Sequence, residues 1–215
     1  MKVLIACEYS GRVRDAFIAK GHDAISCDLL PTEQPGPHYQ GDIFDLCLSE
    51  FDLMVCHPPC TFLTIAAEWA YKPREEIKRN VSEDKLYGAE RLAARELAAD
   101  FFMRLANAPI PKIAIENPVG VMSSRWRKPD QYIQPYEYGH DASKKTCLWL
   151  KGLPQLIPTS RVEPRMMHRD GKPPLPRWGN QADCGADRTP PGPDRWKIRS
   201  TTWQGWADAM AEQWG

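Results

Sequence analysis

Short apolar runs alternate with amphipathic segments along the first 120 residues. Residues 3–6, 24–27, 52–56 and 112–115 are apolar runs of strand length, whereas residues 13–20 and 86–105 carry apolar residues at helical spacing. Gly21 ends the first helical pattern, and Pro58 and Pro59 stop the third strand abruptly. Strands that alternate with helices predict an α/β protein built on a doubly wound, mostly parallel sheet.

The pattern changes beyond residue 130. Residues 132–138 and 146–150 predict two further strands, joined by a polar and basic connection, and residues 203–214 predict a helix with one apolar face. Residues 153–199 between them are rich in proline and carry nine basic and five acidic side chains. Proline at this density excludes a regular helix or a central strand, so this segment is predicted to be a small basic excursion from the sheet.

Composition narrows the class of protein. A chain of 215 residues with 42% apolar residues fits one globular domain with a genuine core. It has no run of about 18 apolar residues, which excludes a membrane span, and its first residues fit a buried strand better than a signal peptide. Seven cysteines without a Cys-x-x-Cys pair argue for a reducing compartment, so the expected location is the cytoplasm.

The net charge of zero hides an asymmetry between the two halves of the chain. Residues 1–119 carry 13 basic and 18 acidic side chains, and residues 120–215 carry 15 and 10. The second half can therefore face a polyanion such as DNA, while the first half cannot.

Candidate chemistry lies where the predicted strands end, because ligands of such sheets bind outside the carboxyl ends of the strands. Cys60 follows Pro58 and Pro59 at the exit of a strand, where it is either a rigidly presented nucleophile or a buried structural cysteine. Glu116 ends the strand 112–115 and is either a strand-end cap or a carboxyl group whose pKa an apolar environment raises. Asp28 and Asp42 could accept hydrogen bonds from a ribose and an adenine amino group, or could be surface turn residues.

Two of these motifs resemble a known family. His57-Pro58-Pro59-Cys60 and Ile115-Glu116-Asn117-Pro118 resemble, in the same order, the Pro-Cys and Glu-Asn signatures of the DNA cytosine carbon-5 methyltransferases. The resemblance implies a Rossmann-like, S-adenosylmethionine-dependent methyltransferase fold. It implies three catalytic residues, namely Cys60, Glu116 and Lys145. The residues that it implies for S-adenosylmethionine binding are Ala6, Cys7, Glu8, Ser10, Gly11, Asp28, Leu29, Asp42, Ile43, Pro58 and Thr201.

The resemblance also implies a reaction. Cys60 adds to carbon 6 of cytosine, Glu116 bonds ring nitrogen 3, and a methyl group passes from S-adenosylmethionine to carbon 5. The partner is DNA whose target cytosine is flipped out or single-stranded, and neither a metal nor a membrane is expected. Residues 61–85, which follow the nucleophile, are the expected closing loop.

This chain departs from the family pattern in three places. The loop at Cys7 has fewer glycines, and Lys145 and Cys147 stand where the family has arginines. The catalytic part is predicted as residues 1–152 plus 200–215, which leaves only residues 153–199 for DNA recognition. Such compactness resembles phage or prophage members of the family, in which case the location is the host cytoplasm.

Several alternatives stay open at this point. A methyltransferase acting on amino groups is disfavoured, because His57 precedes the two prolines and Cys60 follows them. The same carbon-5 chemistry could act on a free cytosine nucleotide or transfer a modified methyl group. A module that binds DNA or cofactor without catalysis is the remaining hypothesis.

Overall fold

The computed structural model describes residues 1–78 and 85–215, which build a seven-stranded sheet with helices on both faces. The strands of this sheet are β1 (Lys2–Ala6), β2 (Asp23–Asp28), β3 (His38–Gln40), β4 (Leu53–Cys56), β5 (Lys112–Pro118), β6 (Gln131–Ile133) and β7 (Thr146–Lys151). The α-helices are α1 (Arg12–Ala19), α2 (Gly88–Ala106), α3 (Met122–Arg125), α4 (Arg195–Ser200) and α5 (Gln204–Trp214). A separate hairpin pairs β8 (Arg165–Arg169) with β9 (Lys172–Arg177).

The sheet has the order β3-β2-β1-β4-β5-β7-β6. Strands β1 to β5 pair in parallel, and β7 lies antiparallel between β5 and β6. Because the parallel strands point the same way, all their carboxyl ends meet at one edge of the sheet. The prediction of an α/β, Rossmann-like, doubly wound and mostly parallel sheet is confirmed.

Alternate residues of the central strands belong to two separate cores. Val3 and Ile5 of β1 pack on one face with α1 and α5, whereas Leu4 and Ala6 pack on the other face with α2. Since both faces are covered, the strands read as continuous apolar runs instead of alternating ones. This two-sided burial makes the sheet a rigid platform for the groups at its edge.

Three elements differ from the sequence prediction. The strand expected at residues 132–138 stops at Ile133, because Pro135 has no amide to donate and starts a short 3₁₀ turn, Pro135–Glu137. Strand β3 was not predicted, since its three residues carry no apolar run. The proline-rich segment does contain strands, but β8 and β9 form a two-stranded ribbon in which both strands are edges and proline is tolerated.

The described helices include none with the length and apolar character of a membrane span. All seven cysteines are free thiols.

A fully buried arginine holds the loop that follows β2. The Arg14 guanidinium donates to the Ser26 and Thr32 hydroxyls at 3.2 and 3.1 Å and to the Gln34 and Pro35 carbonyls at 3.0 and 3.3 Å. These bonds fix the chain just beyond Asp28, on the side of the sheet edge where a cofactor is expected.

We expect Arg14→Leu to lower the free energy of unfolding by about 3 kcal/mol, because the buried Ser26 hydroxyl and three part-buried acceptors lose their donor. Urea titration measures the change. Arg12→Leu is the matched control, since Arg12 is exposed and makes one bond of 3.2 Å to the Thr202 carbonyl. An equal loss in both variants would contradict this role of Arg14.

Candidate active site

Strands β4 and β5 bring the two signature motifs together. Cys56 pairs with Ile115 in the parallel register, so the chain leaves β4 toward Cys60 beside the position of Glu116. The buried Asn117 side chain donates from Nδ2 to the Pro58 carbonyl at 2.6 Å. This bond fixes the turn through the two prolines relative to the end of β5.

His57 and Glu116 form a pair of buried side chains. Imidazole Nδ1 lies 3.3 Å from Glu116 Oε2, and the side chains are only 10% and 13% exposed. The backbone amide of His57 donates to the Ala6 carbonyl at 3.0 Å and so fixes His57 to the sheet. The outer atoms of the pair, His57 Nε2 and Glu116 Oε1, are buried without a partner among the described residues.

The charges around Glu116 decide its protonation. Burial raises the pKa of Glu116, but the hydrogen bond from His57 and the positive charge of Lys144 lower it, and the resulting pKa is below the usual value. The sequence suggested a carboxyl group whose pKa is raised by an apolar environment. The structure provides the burial, but the neighbouring histidine and lysine reverse its effect.

Cys60 lies within electrostatic reach of the same groups. Burial of its sulfur and the negative charge of Glu116 raise the pKa of the Cys60 thiol, while the positive charges of Lys144 and Arg199 oppose that increase. The residue as a whole stays exposed, so a substrate can reach it. Thiol and carboxylate therefore occupy one site and not opposite faces of the molecule.

Two neighbouring lysines differ in their surroundings. Lys145, the expected catalytic lysine, is exposed, and its Nζ lies 4.1 Å from the centre of the Tyr132 ring. Lys144 is the lysine whose charge acts on both Cys60 and Glu116, and its Nζ donates to the Arg199 carbonyl at 3.0 Å. The catalytic role of Lys145 stays a prediction, and Lys144 is a second candidate for the site cation.

The acidic residues expected to bind the cofactor lie together at the ends of β2 and β3. Asp28 accepts the Leu30 amide at 2.9 Å through Oδ1, and Asp42 accepts the Phe44 amide at 3.0 Å through Oδ1. Both carboxylates add to burial in raising the pKa of the Cys7 thiol, so both lie close to the end of β1. Leu29 beside them is 73% exposed. Two carboxylates and an exposed leucine fit a nucleoside, whose hydroxyl and amino groups are donors and whose base is apolar.

The other residues of the first loop are structural. The Glu8 carboxylate accepts the Ser10 hydroxyl and the Val13 amide, both at 2.9 Å, and so caps α1. Gly11 begins the helix with a φ of 76°, a left-handed conformation that suits glycine. Ala6, Ile43 and Pro58 are buried behind this edge.

The C-terminal segment covers the first loop. The Tyr9 hydroxyl lies 3.1 Å from Ser200 Oγ, and the Tyr9 ring lies 5.9 Å from the Trp196 ring. Thr201, expected to bind the cofactor, bonds its hydroxyl to the Lys197 carbonyl at 2.8 Å and closes the end of α4. Helix α4 thus contacts the first loop through Ser200, and the charge of its Arg199 acts to lower the pKa of the Cys60 thiol. The boundary predicted between residues 199 and 200 cuts through this helix.

Four of the nine basic residues of the segment 153–199 lie on the hairpin, and three of these, Arg165, Arg169 and Lys172, are exposed. The Trp178 ring stacks on Tyr136 with ring centres 4.3 Å apart. Trp196, in contrast, is 51% exposed.

Two further expectations concern metals and the closing loop. No group of three or more histidine, cysteine or acidic side chains in the described ranges could hold a metal ion. The expected closing loop, residues 61–85, includes residues 79–84, which lie outside the described residues.

Comparisons with known proteins yield structural neighbours only. No family model and no curated protein matches the chain. The chain is similar to a protein assigned as a DNA modification methyltransferase of an E. coli prophage, with a TM-score of 0.45, 12% identity, and coverage of 75% of this chain and 52% of that one. It is similar to a variant of Spodoptera frugiperda DNMT2 (TM-score 0.37, 14% identity, coverage of 75% and 53%). S. pombe Dnmt2 methyltransferase is also similar (TM-score 0.38, 13% identity, coverage of 72% and 50%).

The chain thus spans about half the length of the solved structures that it matches. The chemistry proposed below rests on the side chains of this chain.

The opposed charges around Cys60 predict two shifts of opposite sign. Lys144→Gln removes a cation and should raise the pKa of the Cys60 thiol, whereas Glu116→Gln removes an anion and should lower it. The pH dependence of iodoacetamide alkylation at Cys60, followed by peptide mass spectrometry, measures both shifts. Lys145→Gln is the matched control and should leave the profile unchanged. A shift with Lys145→Gln but none with Lys144→Gln would identify Lys145 as the site cation.

Proposed function

We propose that this protein is an S-adenosylmethionine-dependent methyltransferase that acts on carbon 5 of cytosine in DNA through a covalent adduct with Cys60. The observation that carries the proposal is the meeting of a reachable thiol and a buried carboxylate at the carboxyl ends of β4 and β5. The Pro-Cys and Glu-Asn motifs that supply these groups support it from the sequence.

A thiol and a carboxylate suit this reaction because carbon 5 of cytosine is a poor nucleophile. The Cys60 thiolate adds to carbon 6, which makes the ring enamine-like and raises the electron density on carbon 5. Glu116, through its unpartnered Oε1, bonds ring nitrogen 3 and offsets the charge that develops there. The Cys60 sulfur leaves when the carbon-5 proton is lost, which restores the free thiol.

Asp28, Asp42 and Leu29 are the residues proposed to hold the cofactor. The second oxygen of each carboxylate accepts from ribose hydroxyls or the adenine amino group, while the first holds the local turn. When bound, S-adenosylmethionine supplies an electrophilic methyl group. The amides that begin α1 are already used by Glu8, so this fit concerns the nucleoside half of the cofactor.

The substrate is proposed to be DNA with its target base outside the helix. A cytosine in a duplex cannot reach a thiol at the edge of a sheet, so the base is flipped out or single-stranded. The exposed cations of the β8–β9 hairpin would contact phosphates, and the segment 153–199 is the proposed recognition region. Residues 1–152 and 200–215 form the proposed catalytic part.

We expect the protein to form a covalent adduct with an oligonucleotide that contains 5-fluorocytosine when S-adenosylmethionine is present. Fluorine replaces the proton that must leave carbon 5, so the Cys60–carbon-6 bond cannot be broken by elimination. A denaturing gel detects the adduct, and mass spectrometry of its peptides locates it. Cys60→Ser should abolish it and retain DNA binding, whereas Cys47→Ser, which alters an exposed cysteine outside the site, should not affect it.

The other outcomes separate the alternatives. An adduct with the free fluorinated nucleotide but not with the oligonucleotide would make the substrate a nucleotide. Binding of DNA and cofactor without an adduct on any DNA would make the protein a binding module. Absence of both adduct and cofactor binding would reject the proposal.

Changing two hairpin cations tests the recognition region. The double variant Arg169→Gln and Lys172→Gln should weaken DNA binding and reduce the slope of log K against log salt by up to about 2, because each lost phosphate contact removes about one released counterion. Fluorescence anisotropy at several salt concentrations measures the slope. Lys20→Gln is the control, because Lys20 is an exposed cation at the C-cap of α1 and not on the hairpin. An unchanged slope in the hairpin variant would exclude these residues from the DNA contact.

A further inference from the structure

His57 is a buried titratable residue to which the proposed reaction assigns no part. Its Nδ1 lies 3.3 Å from Glu116 Oε2, and its own backbone is bonded to β1 through Ala6. We propose that His57 is the positioning residue of Glu116 and stores the proton that Glu116 delivers to the pyrimidine ring. This inference rests on the proposed function and assigns His57 a role within the same site.

The two oxygens of Glu116 have different environments. Oε2 faces His57, whereas Oε1 is buried and has no partner among the described residues. A buried carboxylate oxygen without a donor is costly, so a bound ligand that brings a donor is favoured. The contact with His57 therefore orients the carboxylate and leaves one oxygen for the substrate.

The charge of Glu116 creates the need for a proton store. Burial raises the pKa of Glu116, but the hydrogen bond from His57 and the charge of Lys144 bring it below the usual value, so the resting group is a carboxylate. Ring nitrogen 3 of cytosine carries no hydrogen and is an acceptor, so a carboxylate, which has no proton to donate, cannot form a hydrogen bond with it. The His57 imidazole in contact with Glu116 can carry such a proton on Nδ1, 3.3 Å from Oε2.

The proton transfer balances in two steps. The Nδ1 proton of the His57 imidazolium passes to Oε2, which gives neutral imidazole and a neutral carboxyl group. That group turns about its terminal torsion, a rotation with two equivalent positions, and gives its proton to nitrogen 3. The Cys60 thiol meanwhile loses its proton to solvent water and its sulfur bonds carbon 6. The carbon 5–carbon 6 double bond shifts to carbon 4–carbon 5, and the nitrogen 3–carbon 4 double bond opens to take the proton from Glu116. Elimination of Cys60 returns the proton by the same path.

The groups facing this pair are known for each neighbouring element in the described part of the chain. Cys56 on β4, Cys60 after β4 and Cys147 on β7 are thiols whose pKa values burial raises, so they are neutral near pH 7. Lys144, before β7, is the cation that acts on Glu116. Within the described part of the chain, the groups that lower the pKa of Glu116 are therefore His57 and Lys144.

The variant His57→Gln tests the proposal, because glutamine can still donate a hydrogen bond to Glu116 but carries no proton to give. The measurement is the rate of adduct formation with 5-fluorocytosine DNA from pH 5 to pH 9. We expect the variant to react about 100-fold more slowly at pH 7.5. The difference should shrink as the pH falls, because Glu116 itself becomes protonated. His22→Gln, at the opposite edge of the sheet, is the matched control and should behave like the unmodified protein.

Each other outcome has one meaning. Equal profiles for His57→Gln and the unmodified protein would overturn the proposal, and so would a loss of the same size at every pH, which indicates a structural role alone. If the unmodified protein forms no adduct, the proposed function fails and this inference fails with it. An adduct in the unmodified protein combined with an unchanged variant removes only the role of His57.

A second measurement avoids the variant altogether. The imidazole Cε1 proton of His57, followed by NMR in the unmodified protein, should change its chemical shift between the free protein and the trapped adduct, because the ring gives its proton to Glu116. An unchanged chemical shift in the adduct would overturn the proposal, even if His57→Gln does not fold.

Discussion

The parallel pairing of β4 with β5 is the constraint on which the site depends. Each strand contributes one candidate catalytic group beyond the last β4–β5 pair, Cys56 with Ile115: Glu116 follows directly on β5, and Cys60 follows four residues later on the other chain segment. Pairing alone leaves the chain free to diverge once the strands end, and two further bonds prevent this. Asn117 holds the Pro58 carbonyl, and His57 holds the Glu116 carboxylate. The geometry of the site therefore follows from a rigid sheet whose two motifs are bonded to each other across adjacent strands.

The same proximity creates an electrostatic conflict. Burial and the negative charge of Glu116 raise the pKa of the Cys60 thiol, so the resting nucleophile is mostly protonated. Lys144 and Arg199 offset only part of that effect. In the proposed reaction, a pyrimidine that shares a proton with Glu116 would remove this repulsion when the thiolate is needed. The charge of Glu116 would then couple the reactivity of Cys60 to the presence of the ring and protect the thiol from reacting without substrate.

Features set by local sequence patterns could be predicted, whereas contacts between segments that are distant in the sequence could not. The strands β1, β2, β4 and β5 were predictable, because burial on both faces leaves an unbroken apolar run for each. The proximity of Cys60 and Glu116 could also be predicted, because both come at the ends of such apolar runs. Lys144, Arg199 and the contact of His57 with Glu116 could not, since they arise from tertiary contacts between segments without periodicity. The sequence shows that the segment 195–200 is basic, but it does not indicate that this helix lies over Tyr9 instead of beside the β8–β9 hairpin.

The first loop shows how the chain manages with few glycines. Cys7 takes a left-handed conformation with a φ of 57°, which costs a residue with a side chain about 1 kcal/mol relative to glycine. The turn is held by the Glu8 amide, which donates to the Cys27 carbonyl at 3.2 Å, and by the Glu8 carboxylate, which caps α1. That cap places a negative charge where a helix terminus would otherwise attract an anion. An anionic group at this edge must therefore be bound by cations from other elements. In the described chain, α4 has two cations near this edge. Lys197 lies 3.8 Å from Glu33, and the charge of Arg199 acts on Cys60. Because Glu8 occupies the amides at the start of α1, an anion at this edge would be bound by the side chains of the C-terminal segment and not by the backbone of α1.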